Sequence, residues 1–114
     1  MARTTDWNGS RYMASPRPMY ESFFLRANHP KEAKAFWIRY TLLHTQERGS
    51  SPMGELWVAL FDEGRSVMAT REVLPLSSCS FASDKLDVAI GSAVLREGEA
   101  SGQVPWEDSI VRWD

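Results

Sequence analysis

The chain contains little cysteine and no long apolar run. Its 114 residues include one cysteine, Cys79, which excludes an internal disulfide bond and permits a reducing compartment. No apolar stretch approaches the roughly 20 residues of a membrane helix, and residues 1–15 lack the apolar centre of a signal peptide. These absences predict a cytoplasmic protein without a membrane span.

A strong excess of charge of one sign is also missing. The net charge of -2 and the isoelectric point near 5.7 give no electrostatic reason to expect nucleic acid as a partner. The chain has only two histidines, His29 and His44, and both are too far from any cysteine or aspartate cluster to predict a metal site. We interpret both as solvated loop histidines, and we expect no metal and no cofactor.

The apolar content indicates a folded domain rich in β-strands. Hydrophobic residues make up 43% of the chain and include five tryptophans, which argues against disorder. Glu63 and Gly64 predict a tight hairpin, whereas residues 74–84 read as an irregular connection and residues 30–34 as at most one helical turn. Alternation and turn residues predict strands at 19–27, 35–43, 54–62, 66–73, 86–90, 93–96, 100–104 and 108–113.

This order of elements predicts an all-β fold, an antiparallel meander that forms a barrel or a partial barrel. Residues 1–18 are predicted to be a flexible lead-in, and residues 19–114 the β-domain. The last predicted strand ends with the chain, and it would leave an unpaired edge. We therefore expect the chain to be the N-terminal part of a longer protein, with a missing C-terminal domain or a homodimer partner beside it.

The segments YESFF, AFWIRYTLL, GELWVALFD and CSFASDKLDVAIGSAVL, taken in this order, resemble the N-terminal region of the hydroxyneurosporene synthase family. The resemblance covers roughly residues 19–114. It implies a lipocalin-like barrel, the first of two in tandem, around an apolar cavity. For characterised relatives it implies cofactor-free, acid-catalysed hydration of a terminal double bond in an acyclic carotenoid.

The catalytic candidates are carboxylates placed among aromatic residues. Hydration of an alkene needs a general acid, and Glu21 and Glu55 are the carboxylates inside strongly aromatic strands. If their strand faces coincide with that of Arg39, the three side chains meet. Such a carboxylate–guanidinium–carboxylate cluster would hold both acids ionised, which is wrong for a general acid and favours a structural ion-pair network.

The ligand-binding candidates are five side chains of the same strands. Aromatic rings can line an apolar cavity or stabilise a developing cation, although in strands they often only fill the core. The sequence thus predicts a domain that binds a lipophilic small molecule, and it leaves open a hydratase (lyase) and a purely structural β-domain. The binding candidates are Tyr20, Trp37, Arg39, Tyr40 and Trp57.

Overall fold

The computed structural model describes residues 8–12, 18–65 and 67–114. It confirms the all-β prediction, since every long element in the described residues is a strand. The strands are β1 (Met19–Asn28), β2 (Lys34–His44), β3 (Met53–Asp62), β4 (Met68–Pro75), β5 (Cys79–Phe81), β6 (Asp87–Ile90), β7 (Ala93–Arg96), β8 (Glu99–Trp106) and β9 (Ser109–Trp113).

The strands form two antiparallel meanders. The first sheet has the order β1-β2-β3-β4 and the second the order β5-β6-β7-β8-β9, with a single 3-10 turn, Leu76–Ser78, between them. Within each sheet every strand pairs with its neighbour in the chain, which confirms the predicted antiparallel meander. Over the described part of the chain the two sheets do not close into one hydrogen-bonded cylinder, so the architecture is a partial barrel.

Two connections differ from the predictions. Residues 30–33 form bends rather than a helical turn. The stretch 74–84, predicted as irregular, contains the end of β4, the 3-10 turn and the whole of β5. β4 ends at Pro75, which has no N–H to donate to a sheet ladder. β5 is only three residues long, too short for alternation to reveal it.

The core lies between the two sheets. Alternate residues of β2 and β3 point toward the second sheet, where they pack against residues of β6, β7 and β8. This inward face is continuous and apolar, and its burial between the sheets is a favourable contribution to folding. The buried cluster consists of Ile38, Tyr40, Leu56, Val58, Val88, Ile90, Ala93, Leu95 and Val104.

Residues 8–12 of the predicted lead-in are packed on the domain. The Ser10 N–H donates to the Ala82 carbonyl at 2.6 Å, and the Ser10 hydroxyl donates to the carboxylate of Glu21. The Arg11 N–H donates to the other Glu21 oxygen at 2.8 Å. This short segment therefore connects β1 with the turn that follows β5. The remainder of the predicted lead-in, residues 1–7 and 13–17, lies outside the described residues.

Candidate functional site

One concave feature is a cleft of about 560 Å³ between the ends of the two sheets. Its floor is one cross-strand row of the first sheet, formed by Ala27, Phe36, Leu60 and Met68. Trp106, the last residue of β8, lines the cleft from the second sheet. A cleft of this size with an apolar floor has the usual dimensions and chemistry of a small-molecule site.

The charged side chains Lys34, Asp62 and Arg65 of the cleft rim each take part in an ion pair. Lys34 Nζ lies 3.2 Å from a carboxylate oxygen of Glu32, and Arg65 Nε lies 3.8 Å from one of Asp62. His29 belongs to the same rim, where its Nδ1 accepts the backbone N–H of Glu32 at 3.0 Å. Because these pairs are exposed they add little stability, but they balance the charge around the opening.

A second concave feature is a groove of about 340 Å³ on the outer face of the first sheet, the face turned away from the second sheet. It lies over β1 and β2 and is open at the edge of the sheet. We call it the β1–β2 groove. Its lining consists of Tyr20, Ser22, Phe24, Arg26, Trp37 and Arg39.

Aromatic and arginine side chains alternate across this outer face. The register places Phe24 opposite Arg39, Arg39 opposite Trp57, and Trp57 opposite Arg71. The Arg39 guanidinium also stacks 4.8 Å from the centre of the Trp37 ring, and the Arg71 guanidinium 5.2 Å from that of Trp57. Stacking of this kind is favourable because the ring face carries partial negative charge.

The structure divides the five predicted ligand-binding residues between two faces. Tyr20, Trp37 and Arg39 line the β1–β2 groove, and Trp57 lies next to Arg39 on the same face. Tyr40 points the other way and is fully buried between the sheets. None of the five lines the cleft.

The structure does not bring Glu21, Arg39 and Glu55 together, so the predicted ion-pair cluster is wrong. Arg39 and Glu55 share the outer face, but Glu21 pairs in register with Leu42 and belongs to the opposite face. The Glu21 carboxylate instead accepts the hydrogen bonds of the lead-in segment. The partner of Glu55 is a different arginine.

Glu55 is buried on the outer face by its neighbours. One carboxylate oxygen accepts the Trp57 indole N–H at 2.7 Å, and the other lies 3.7 Å from Arg71 Nη1. The residue is 8% exposed. Glu55 therefore acts as a link between the Trp57 and Arg71 side chains, and it is part of neither concave feature.

Two further residues considered from the sequence, His44 and Cys79, lie outside both concave features. His44 was predicted to be a solvated loop residue, which is wrong: it ends β2 and is 9% exposed, and its Nδ1 has no hydrogen-bond partner among the described residues. Cys79 is half-buried, and burial raises the pKa of its thiol. A raised pKa leaves the thiol protonated and a poor nucleophile.

Sequence reasoning missed several of the residues that line the cleft. Met68 and Trp106 were not singled out, and Leu60 was read only as part of a strand. Their common feature is a position at or near the end of a strand, and it becomes visible only when the strand ends are aligned in space. Arg71 was missed because its face depends on the register of the β3–β4 hairpin.

No family model, curated protein or solved structure matches the chain. The resemblance to the hydroxyneurosporene synthase family therefore stays a prediction. No group of three or more potential metal ligands occurs within the described residues. Across the same part of the chain, no helix has the length and apolar character needed to cross a membrane.

Proposed function

We propose that the chain is a β-domain that binds an uncharged, apolar small molecule in the cleft between its sheets. The observation that carries this proposal is the apolar floor of the cleft, which faces Trp106 across a volume of about 560 Å³. An apolar ligand that displaces water from this floor gains free energy in proportion to the apolar area that it covers.

The charge distribution supports a neutral ligand. The charged rim residues Lys34, Asp62 and Arg65 each have an ion-pair partner of opposite sign. A charged ligand group would have to compete with those pairs. Among the described residues, Asp62 is the one carboxylate in the cleft lining, and neither Glu21 nor Glu55 belongs to it. The geometry therefore favours binding over the hydratase alternative.

The test is a fluorescence titration of the tryptophans with all-trans-retinol, a neutral polyene alcohol. We expect saturable quenching, because Trp106 lines the cleft. The variant Met68→Gln keeps the length of the side chain but places an amide on the cleft floor. An amide buried without a partner costs about 1–3 kcal/mol, so the affinity should fall about tenfold.

The matched control is Met53→Gln. Met53 is also half-buried in the first sheet, but it lies at the opposite end of β3 and outside the cleft lining. Its retinol affinity should stay within about twofold of the wild type. Absence of saturable quenching up to the solubility limit of retinol, or equal losses in the two variants, would overturn the proposal.

A further inference from the structure

The two arginines of the β1–β2 groove, Arg26 and Arg39, differ from Arg71 of β4 in their carboxylate partners. Arg71 is stacked on Trp57 and has a carboxylate, that of Glu55, at 3.7 Å. Arg26 and Arg39 have no carboxylate within ion-pair distance among the described residues. The groove therefore carries two positive charges that the described part of the chain does not balance.

The Arg39 guanidinium is held in place, but the contacts within the described residues do not use all of its N–H donors. Its guanidinium stacks on Trp37 and donates one hydrogen bond, from Nη1 to the Tyr20 hydroxyl at 3.2 Å. A guanidinium has five N–H donors in a planar fork that fits a carboxylate or a phosphate. Since the stack fixes its orientation, little conformational entropy remains to be lost when an anion binds.

The groove also exposes large aromatic surfaces beside these charges. Phe24 is 64% exposed and Tyr20 is 59% exposed, although both belong to a strand of the sheet. Exposed rings of this size gain free energy when a flat apolar body covers them. Cationic and aromatic surfaces thus occur together in one open groove of about 340 Å³.

We propose that the β1–β2 groove binds a small planar anion, with its flat body on Phe24 and Trp37 and its acidic group on Arg26 and Arg39. The acidic group is a carboxylate or a phosphate, which share the recognition by guanidinium. The net charge of -2 on the chain disfavours an extended polyanion, so a ligand with one acidic group is the better fit. This site is independent of the cleft.

The test uses three ligands with the same two-ring body: 2-naphthoate, 2-naphthyl phosphate and the neutral 2-naphthalenemethanol. Calorimetry at low salt should give at least tenfold tighter binding for one or both anions than for the alcohol. The tighter of the two anions identifies the acidic group. Raising the salt concentration should weaken anion binding and leave the binding of the alcohol unchanged.

The variants Arg39→Gln and Arg26→Gln should each weaken anion binding about tenfold, the loss expected for a charge-assisted hydrogen bond. The matched control is Arg112→Gln, since Arg112 is an exposed arginine of β9 that donates to Gln103 on the second sheet. Retinol affinity should not change in Arg39→Gln, which separates this groove from the cleft.

Phe24→Ala provides a test that does not remove a charge. Because the Phe24 side chain is mostly exposed, its loss should leave the melting temperature unchanged while it weakens binding of the anions several-fold. Equal binding of the anions and the alcohol would overturn the proposal. The same conclusion would follow if Arg112→Gln weakened anion binding as much as Arg39→Gln.

Discussion

The indole N–H of Trp113 donates a hydrogen bond to the hydroxyl of Tyr40 at 3.1 Å. The two rings meet edge to face, with their planes at 85° and their centroids 6.5 Å apart. The Tyr40 hydroxyl in turn donates to the Val94 carbonyl at 2.7 Å. Tyr40 belongs to β2, whereas Val94 and Trp113 belong to β7 and β9, so this polar chain joins the two sheets inside an otherwise apolar core.

Tyr40→Phe should lower the free energy of unfolding by about 1–3 kcal/mol. The substitution keeps the ring but leaves the Trp113 N–H and the Val94 carbonyl without the hydroxyl, and a buried polar group that loses its partner is costly. Chemical denaturation measures the change. Tyr20→Phe is the matched control, because the Tyr20 side chain is 59% exposed, and it should change stability by less than about 0.5 kcal/mol. Equal stability of the two variants would contradict the role assigned to Tyr40.

The buried hydroxyl of Tyr40 also predicts that the protein loses stability at alkaline pH. Burial raises the pKa of Tyr40 from its ordinary value of 10.0 to about 12. The folded state therefore holds this proton more tightly than the unfolded state, so the stabilisation is complete below pH 10 and is lost as the pH rises from 10 toward 12. Denaturation of wild type and Tyr40→Phe across this range isolates the effect. The stability advantage of the wild type should shrink with pH, and a constant difference would contradict the prediction.

Gly102→Ala should destabilise the second sheet. A methyl group at this position would overlap the Trp113 ring and lie 2.7 Å from the Ala93 side chain. Forcing an extra methyl into a packed site costs about 1–3 kcal/mol, and here it would also displace the ring that bonds to Tyr40. Thermal denaturation gives the result, with the exposed Ser109→Ala as control. An unchanged melting temperature would show that Trp113 can move away freely.

Glu21→Ala should release the packed segment of residues 8–12. The Glu21 carboxylate accepts hydrogen bonds from the Ser10 hydroxyl and the Arg11 amide, and the alanine removes both acceptors. The Arg11 amide should exchange with solvent about tenfold faster, as expected for the loss of roughly 1–2 kcal/mol of local stability. Hydrogen exchange followed by NMR measures this rate. The exposed Glu47→Ala is the control, and unchanged protection at Arg11 would show that other contacts hold the segment.

The sequence predicts the strands of the first sheet, but it does not predict which side chains of different strands share a face. Alternation correctly places Trp37 with Arg39, and Glu55 with Trp57, because these pairs are two residues apart in one strand. The relation between strands depends on turn length. A two-residue turn at Glu63–Gly64 would pair Trp57 with Thr70, whereas the actual register pairs Trp57 with Arg71. A shift of one residue moves a side chain to the other face, so the stack of Arg71 on Trp57 could not be predicted.

The cleft could not be predicted for a different reason. Its floor combines residues near the ends of four strands, and Trp106 joins them only because the second sheet lies across the first. This packing depends on β5 and the 3-10 turn, which carry no periodic signal. The β1–β2 groove, in contrast, was partly within reach of the sequence, since three of its lining residues, Tyr20, Trp37 and Arg39, are among the predicted ligand-binding residues.

The measurement that tests the central claim most directly is a methyl NMR titration with retinol on protein labelled at its methionine methyl groups. Met68 lies on the cleft floor and Met53 near the opposite end of β3, so the two methyls report on different ends of the same sheet. Binding in the cleft predicts a saturable shift of the Met68 resonance while the Met53 resonance stays in place. A stationary Met68 resonance, or equal shifts of both, would contradict a ligand site between the sheets.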